Sequence, residues 1–308
     1  MTYLADDPRS ALRPSAAAAG DRGGPAERCQ VAPFYEREPD YANADGSRAW
    51  SVRGANFTLL LDAVEGERTL TRSGQPDEWA LLLPDTGLTA EVRAGDHEAA
   101  VPARSLTFIP AGDSEVRLKG AGRAVRLFTL AASDLAERAA NADAYARPHA
   151  HIPPFEPWPQ APPAIRSYGL DVAPEPGRFG RIFRCSTLMV NFLEPSDGPR
   201  DPTKLSPHSH EDFEQCSLAL EGEWVHHLRW PWTPDRTTWR EDEHIRVGSP
   251  SVTVIPARVV HTSEAVGAGR NQLVDIFCPP RADFAAMPGW VLNADDYPQP
   301  EQGGENHA

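Results

Sequence analysis

The sequence predicts an all-β protein built from two related antiparallel β-domains. Three observations carry that prediction. Short apolar runs rich in β-branched and aromatic residues recur along the chain, among them "NFTLLLDAV", "EWALLLP", "SLTFIPAG", "STLMVNFL", "SVTVIPA" and "NQLVDIFC". Each is bounded by Gly, Pro or Asp, the pattern of strands separated by turns in sandwiches and barrels. The 31 prolines cut the 308 residues into pieces too short for a long-helix architecture. Finally, the chain repeats itself: "SLTFIPAGDSEVRLKGAGRAVRLFTL" from 105 matches "SVTVIPARVVHTSEAVGAGRNQLVDIF" from 251, with Ser105 opposite Ser251 and Pro110 opposite Pro256 at an offset of 146. A shared pattern of that length indicates duplication of one domain.

In chain order, residues 1–30 are Ala-, Gly- and Pro-rich and read as a disordered tail. Residues 31–148 hold the first set of strands. They end in the one convincing helical stretch, "AASDLAERAANADAYA" at 131–146, with Ser133 or Asp134 as its N-cap. The Pro-rich stretch 149–169 reads as an extended linker. The second set of strands occupies 170–285, and 286–308 reads as a C-terminal tail whose end, "PQPEQGGENHA", is disordered.

Composition narrows the function. The formal charge of −14 and pI near 5.1 repel phosphate backbones, so nucleic acid is not an expected partner. The N-terminus has neither a basic n-region nor an apolar h-region, and no apolar run reaches the roughly eighteen residues of a membrane span. The four cysteines are scattered without a CxxC pair, which suits reduced thiols and a cytoplasmic location.

The chemistry lies in "PHSHEDFEQCSLALEGEW", 207–224, and in "PARVVH", 256–261. Residues two apart on a strand point to one side, so His208 and His210 project together. His261, from a distant strand, can complete one face of a metal ion, and imidazole suits Fe, Mn, Ni, Cu or Zn.

These two stretches resemble the cupin motifs HxH(x)3-4E(x)6G and PxGxxH, with Arg258 where glycine is usual. The resemblance spans about 180–280 and, through the repeat, about 50–130. It implies two cupin barrels (double-stranded β-helix, or jelly-roll), a homodimer, and one divalent metal acting on a small organic substrate. Gln215 stands six residues before Gly222, where the family carries glutamate. It is preferred as fourth ligand because glutamine takes this place in similar cupins, including those that open unsaturated uronate rings. Glu214, one position earlier, remains the alternative.

In the first half, aligning Gly87 with Gly222 puts Ser73, Gln75 and Ala80 where His208, His210 and Gln215 stand. Glu115 falls opposite His261, so that barrel is expected to hold no metal. The second half also carries extra residues between Gly222 and Ser251. Within them, 229–242 holds Trp230, Trp232 and Trp239, either a packed hairpin or a wall over the substrate. Arg184 is a candidate anchor for a substrate carboxylate. His226 and Glu214 are candidate proton carriers. The ligand set His208, His210, His261 and Gln215 is uncharged, so a bound ion keeps its full charge. The resemblance then implies an iron(II) dioxygenase, with a zinc, manganese or nickel isomerase or lyase as the alternative and a non-catalytic sensor as the third possibility.

Overall fold

The computed structural model describes residues 6–12, 25–42 and 48–300. Its architecture is all-β and antiparallel, as the run of short strands requires. A nine-stranded sheet built around the long strands Phe57–Gln75 and Gly112–Thr129 forms the first barrel. A seven-stranded sheet centred on Gln215–Glu221, Ser251–Ile255 and Arg270–Phe277 forms the second. The three-stranded sheet Glu243–Val247, Trp224–Arg229, Val260–Ala265 completes the second barrel.

The strand Trp79–Leu83 shows why the barrels pack together. All five of its residues are buried. Ala80 and Leu82 point to one side and join a core with Leu218, Val252 and Val274 of the second barrel. Trp79, Leu81 and Leu83 point to the other side and fill the first barrel. Period-2 alternation thus serves two cores from one continuous apolar run. The second barrel repeats the arrangement: Cys216, Leu218 and Leu220 enter the shared core, while Gln215, Ser217 and Ala219 face inward.

The two halves also exchange strands. Gln30–Pro33, expected at the junction of the tail and the first domain, pairs with Ser251–Ile255 of the second. Arg166–Gly169, expected as linker, pairs with Ser105–Ile109 of the first. Each covers an edge that would otherwise present unpaired backbone groups.

Three further expectations change. The helix at 131–146 shrinks to Ser133–Ala136 and a 3-10 turn, Ala142–Tyr145. Its N-cap is Ala132, without a side-chain bond, while Asn141 is drawn off to bond both backbone groups of Arg53. The C-terminal tail is structural as far as 300: Trp290, Val291 and Tyr297 are buried, and Trp290 Nε1 donates to Gly177 O at 2.9 Å. In the N-terminal tail, residues 6–12 contain a 3-10 turn, Pro8–Ala11. Residues 1–5, 13–24 and 301–308 of the expected tails lie outside the described residues.

Candidate metal centre

His208 and His210 lie on the extended segment before the strand Gln215–Glu221. The backbone clamps them there. His208 and His261 exchange two backbone hydrogen bonds, at 3.0 and 2.7 Å. Arg258 N donates to His210 O at 2.5 Å. Arg258 has φ +68°, the left-handed conformation a glycine adopts without penalty. The non-glycine residue in the second motif therefore keeps the glycine backbone. Gly222 needs its freedom as well: φ is +85°, and a Cβ would sit 2.1 Å from Asn271 Oδ1.

The three imidazoles converge in the barrel. All are buried, and one nitrogen from each lies within 4.8 Å of the others. His208 Nδ1–H donates to Ser206 O and His261 Nδ1–H to Val259 O, both at 2.9 Å. That fixes the tautomers and puts the lone pairs of both imidazoles on Nε2, the outer support that metal-binding histidines carry. Burial pushes the basicity of His208 and His210 well below the usual histidine range, and neighbouring cationic groups add to it. Burial likewise takes His261 down to about 4. All three therefore stay neutral, the state in which an imidazole can accept a metal ion.

Gln215 Oε1 faces this cluster, 3.0 Å from His210 Nε2 and 3.3 Å from His261 Nε2. Its Nε2 donates to Ser217 Oγ and to Asp275 Oδ1, both at 3.0 Å. A flipped amide would set Oε1 against the Asp275 carboxylate, so the carboxylate fixes which atom meets the histidines. The donor set fits a divalent cation of the imidazole-preferring kind: three neutral nitrogens and one oriented carbonyl oxygen. Among the described residues, this is the one cluster of three or more His, Cys, Asp or Glu suited to a metal.

Beside the cluster lies a cavity of about 510 Å³ whose lining includes Arg9, Arg200, His208, Gln215, Trp224 and Asp275. Asp275 is buried, and burial lifts its carboxyl to about 6 against the pull of Ser217, Arg9, Arg281 and Gln215. The 3-10 turn from the N-terminal segment closes one side. Asp7 caps it through Arg9 N at 2.9 Å and pairs with the Arg9 guanidinium at 2.7 Å. That guanidinium lies 4.3 Å from the centre of the Phe179 ring.

The structure does not bring every predicted residue to this cavity. Glu214 points the opposite way from Gln215, by strand alternation. It accepts from Ala55 N at 2.6 Å and Tyr145 Oη at 3.2 Å, and lies 3.2 Å from His149 Nδ1. It latches the second barrel to the first half of the chain. Arg184 is fully buried elsewhere, donating to Tyr297 O at 2.8 Å and stacking on Trp158. His226 is buried behind the cluster, with Nδ1 2.8 Å from Ser263 Oγ and Nε2 unpartnered. Burial pushes it down to about 3. The tryptophan insertion does not line this cavity, and two of its tryptophans, Trp232 and Trp239, are exposed. Trp230 is buried with Leu228 and Val259, while Trp232 and Trp239 stack on each other at 4.5 Å.

Sequence reasoning missed Asp275, Ser217 and Arg9. Asp275 had a signal, an acid inside the apolar run "NQLVDIFC", since a buried carboxylate needs a reason.

The first barrel fills the equivalent space with side chains. Gln215 pairs with Ile255 and Trp79 with Ile109, so the repeat sets Trp79, not Ala80, opposite Gln215. Ala80 instead faces the shared core. Trp79 stacks on Phe128 at 4.9 Å. Arg126 stands where Asp275 stands and closes a buried ion triad with Asp62 and Arg68. Glu115 sits at the rim beside Arg117, Ser73 is exposed, and Gln75 donates to Asp77 at 3.1 Å.

Two antiparallel barrels, one sealed and one holding a three-histidine cluster, define the two-barrel cupin fold. Similar solved structures share it. They include an S161A mutant of Bacillus subtilis oxalate decarboxylase (13% identity, TM-score 0.55, 89% of this chain and 85% of that one). AerE from Microcystis aeruginosa is another (9%, 0.52, 76% and 93%). The YlbA protein of E. coli is a third (12%, 0.51, 87% and 95%). No family model and no curated protein matches the sequence. Among the described residues, no helix is long and apolar enough to cross a membrane.

Proposed function

We propose that the protein is a metal-dependent enzyme acting on a small organic molecule in the second barrel. The observation that carries this reading is the orientation of Gln215. Its carbonyl oxygen faces His210 and His261 because Asp275 and Ser217 hold the other end of the amide. His208, His210, His261 and Gln215 would hold one divalent ion. Bound there, the ion would supply Lewis acidity toward a carbonyl or carboxylate oxygen, or, as iron(II), redox chemistry with dioxygen.

The chain's own residues favour the first of these, an isomerase or lyase reaction on an enolisable substrate. Asp275 is a buried carboxylate in the cavity wall, hydrogen-bonded to the Gln215 amide. It is placed to take a proton from a substrate carbon and return it elsewhere. Arg200, whose guanidinium bonds the neutral oxygens of Ser263, Lys204 and Ser206, supplies positive charge in the same lining for an anionic group of the substrate. The Pro8–Ala11 turn lines that side of the cavity. The iron dioxygenase remains the second reading, supported by the neutrality of the four donors.

Elemental analysis of protein purified without added metal, followed by oxygen uptake with enolisable carboxylates, separates the two. Zinc, manganese or nickel with no oxygen uptake is expected. Stoichiometric iron with substrate-dependent uptake would transfer the assignment to the dioxygenase. A chain that retains no metal, even after reconstitution, would defeat both.

A further inference from the structure

A second pair of histidines meets on the outer face of the three-stranded sheet. His227 and His244 occupy directly opposed positions on the antiparallel strands Trp224–Arg229 and Glu243–Val247. Their ring centres are 4.9 Å apart, and their Nδ1 atoms 2.7 Å apart. The third strand, Val260–Ala265, contributes Glu264, whose Oε2 lies 2.9 Å from His227 Nε2.

The hydrogen bonds determine the tautomers. An ionised carboxylate only accepts, so neutral His227 carries its proton on Nε2 and keeps the Nδ1 lone pair. His244 must then be the Nδ1 donor in the 2.7 Å contact. A carboxylate fixing the far nitrogen of an imidazole, so that its near lone pair is presented outward, is the arrangement that supports metal-binding histidines. His244 is exposed, so moving its proton to Nε2 places it in water and frees a second Nδ1 lone pair. Two nitrogens bound to one tetrahedral zinc ion stand about 3.3 Å apart, so the pair needs to open by about 0.6 Å. Asp242 lines the same small cavity as both histidines. Its partner is Arg229, an exposed pair that is easily displaced.

We infer that His227 and His244 form a second metal site, outside the barrel. It chelates one imidazole-preferring divalent cation (Zn²⁺, Ni²⁺ or Cu²⁺) between two Nδ1 atoms, with water completing the shell. Hard cations such as Mg²⁺, which require oxygen ligands, are refused. The site shares no donor with the centre at His208, although His261 lines the same small cavity.

Calorimetric titration of the full chain with Zn²⁺, starting from protein already zinc-loaded and desalted, tests this. One further equivalent is expected, and Mg²⁺ should give none. His227→Ala or His244→Ala should weaken that equivalent at least tenfold, and Glu264→Gln about 10–100-fold. His208→Ala should leave it unchanged, although the inner equivalent is lost. Electron paramagnetic resonance of one added Cu²⁺ provides a second readout, with two coupled nitrogens in the parent and one in His244→Ala. The inference is overturned if the extra equivalent is missing, survives in the His227→Ala/His244→Ala double variant, is insensitive to Glu264→Gln, or disappears with His208→Ala.

Discussion

The adjacent residues Glu214 and Gln215 show how one step along a strand separates chemistry from architecture. Gln215 turns into the barrel and meets two imidazole nitrogens; Glu214 turns out and holds Ala55, Tyr145 and His149. Gln215→Ala should therefore shed metal on dialysis, as His208→Ala and His261→Ala should. Glu214→Ala should retain metal yet lose about 1–3 kcal/mol of stability, because it strands buried donors. Full metal occupancy in Gln215→Ala would sink the ligand assignment. The histidines make a pH prediction. In the native state burial holds His208 and His210 well below 6.5, His261 near 4 and His226 near 3. Below about pH 6.5 the unfolded chain takes up protons that the native chain refuses, so stability falls as pH falls. Each such histidine removes about 1.4 kcal/mol per pH unit. Asp275, raised to about 6, and Asp77, raised by burial, work the other way, but they are two groups against four. Urea midpoints of the metal-free chain should drop steadily from pH 6.5 to 4.5. A flat profile would mean that these imidazoles are accessible to protons.

At the level of elements, the local signals were legible and the long-range ones were not. HxH, Gly222 and "PARVVH" could be read because ligand spacing and a left-handed turn are properties of a few consecutive residues. The register of the first barrel slipped by one, from Trp79 to Ala80, because "WALLL" is apolar at every position and alternation cannot be seen when both faces are buried. The strand exchanges of Gln30–Pro33 and Arg166–Gly169 leave no mark on composition. The N-terminal turn was hidden by its Ala- and Gly-rich surroundings, although Asp7 followed by Pro8 is a helix-start signal. That turn yields a prediction. Arg9 ties it to Asp7 and to Phe179 over the cavity. Arg9→Ala should leave the metal content intact while speeding its removal by EDTA about tenfold or more. Unchanged extraction kinetics would show that the turn does not guard the site.

For the whole molecule, the decisive feature is that the largest core belongs to neither barrel alone. Leu59, Leu82 and Leu127 from the first half pack in one cluster with Leu218, Val252 and Val274 from the second. Strand exchange ties the halves again at both edges, and the Glu214 latch ties them at the metal centre. The sealed barrel, with its Trp79 stack and its Asp62 ion triad, thus forms the wall against which the barrel with the histidine cluster is built. Two domains joined by a small polar interface would unfold separately, whereas a shared apolar core makes the loss of one half expose the other. Calorimetry should accordingly show a single transition with matching van't Hoff and calorimetric enthalpies. Leu82→Ala, some distance from any ligand, should cost about 2–5 kcal/mol. It should lower the midpoint of metal release on heating together with the midpoint of unfolding. If Leu82→Ala instead split the melt into two steps, with metal retained through the first, the barrels would be independent. The sealed half would then be dispensable to the site.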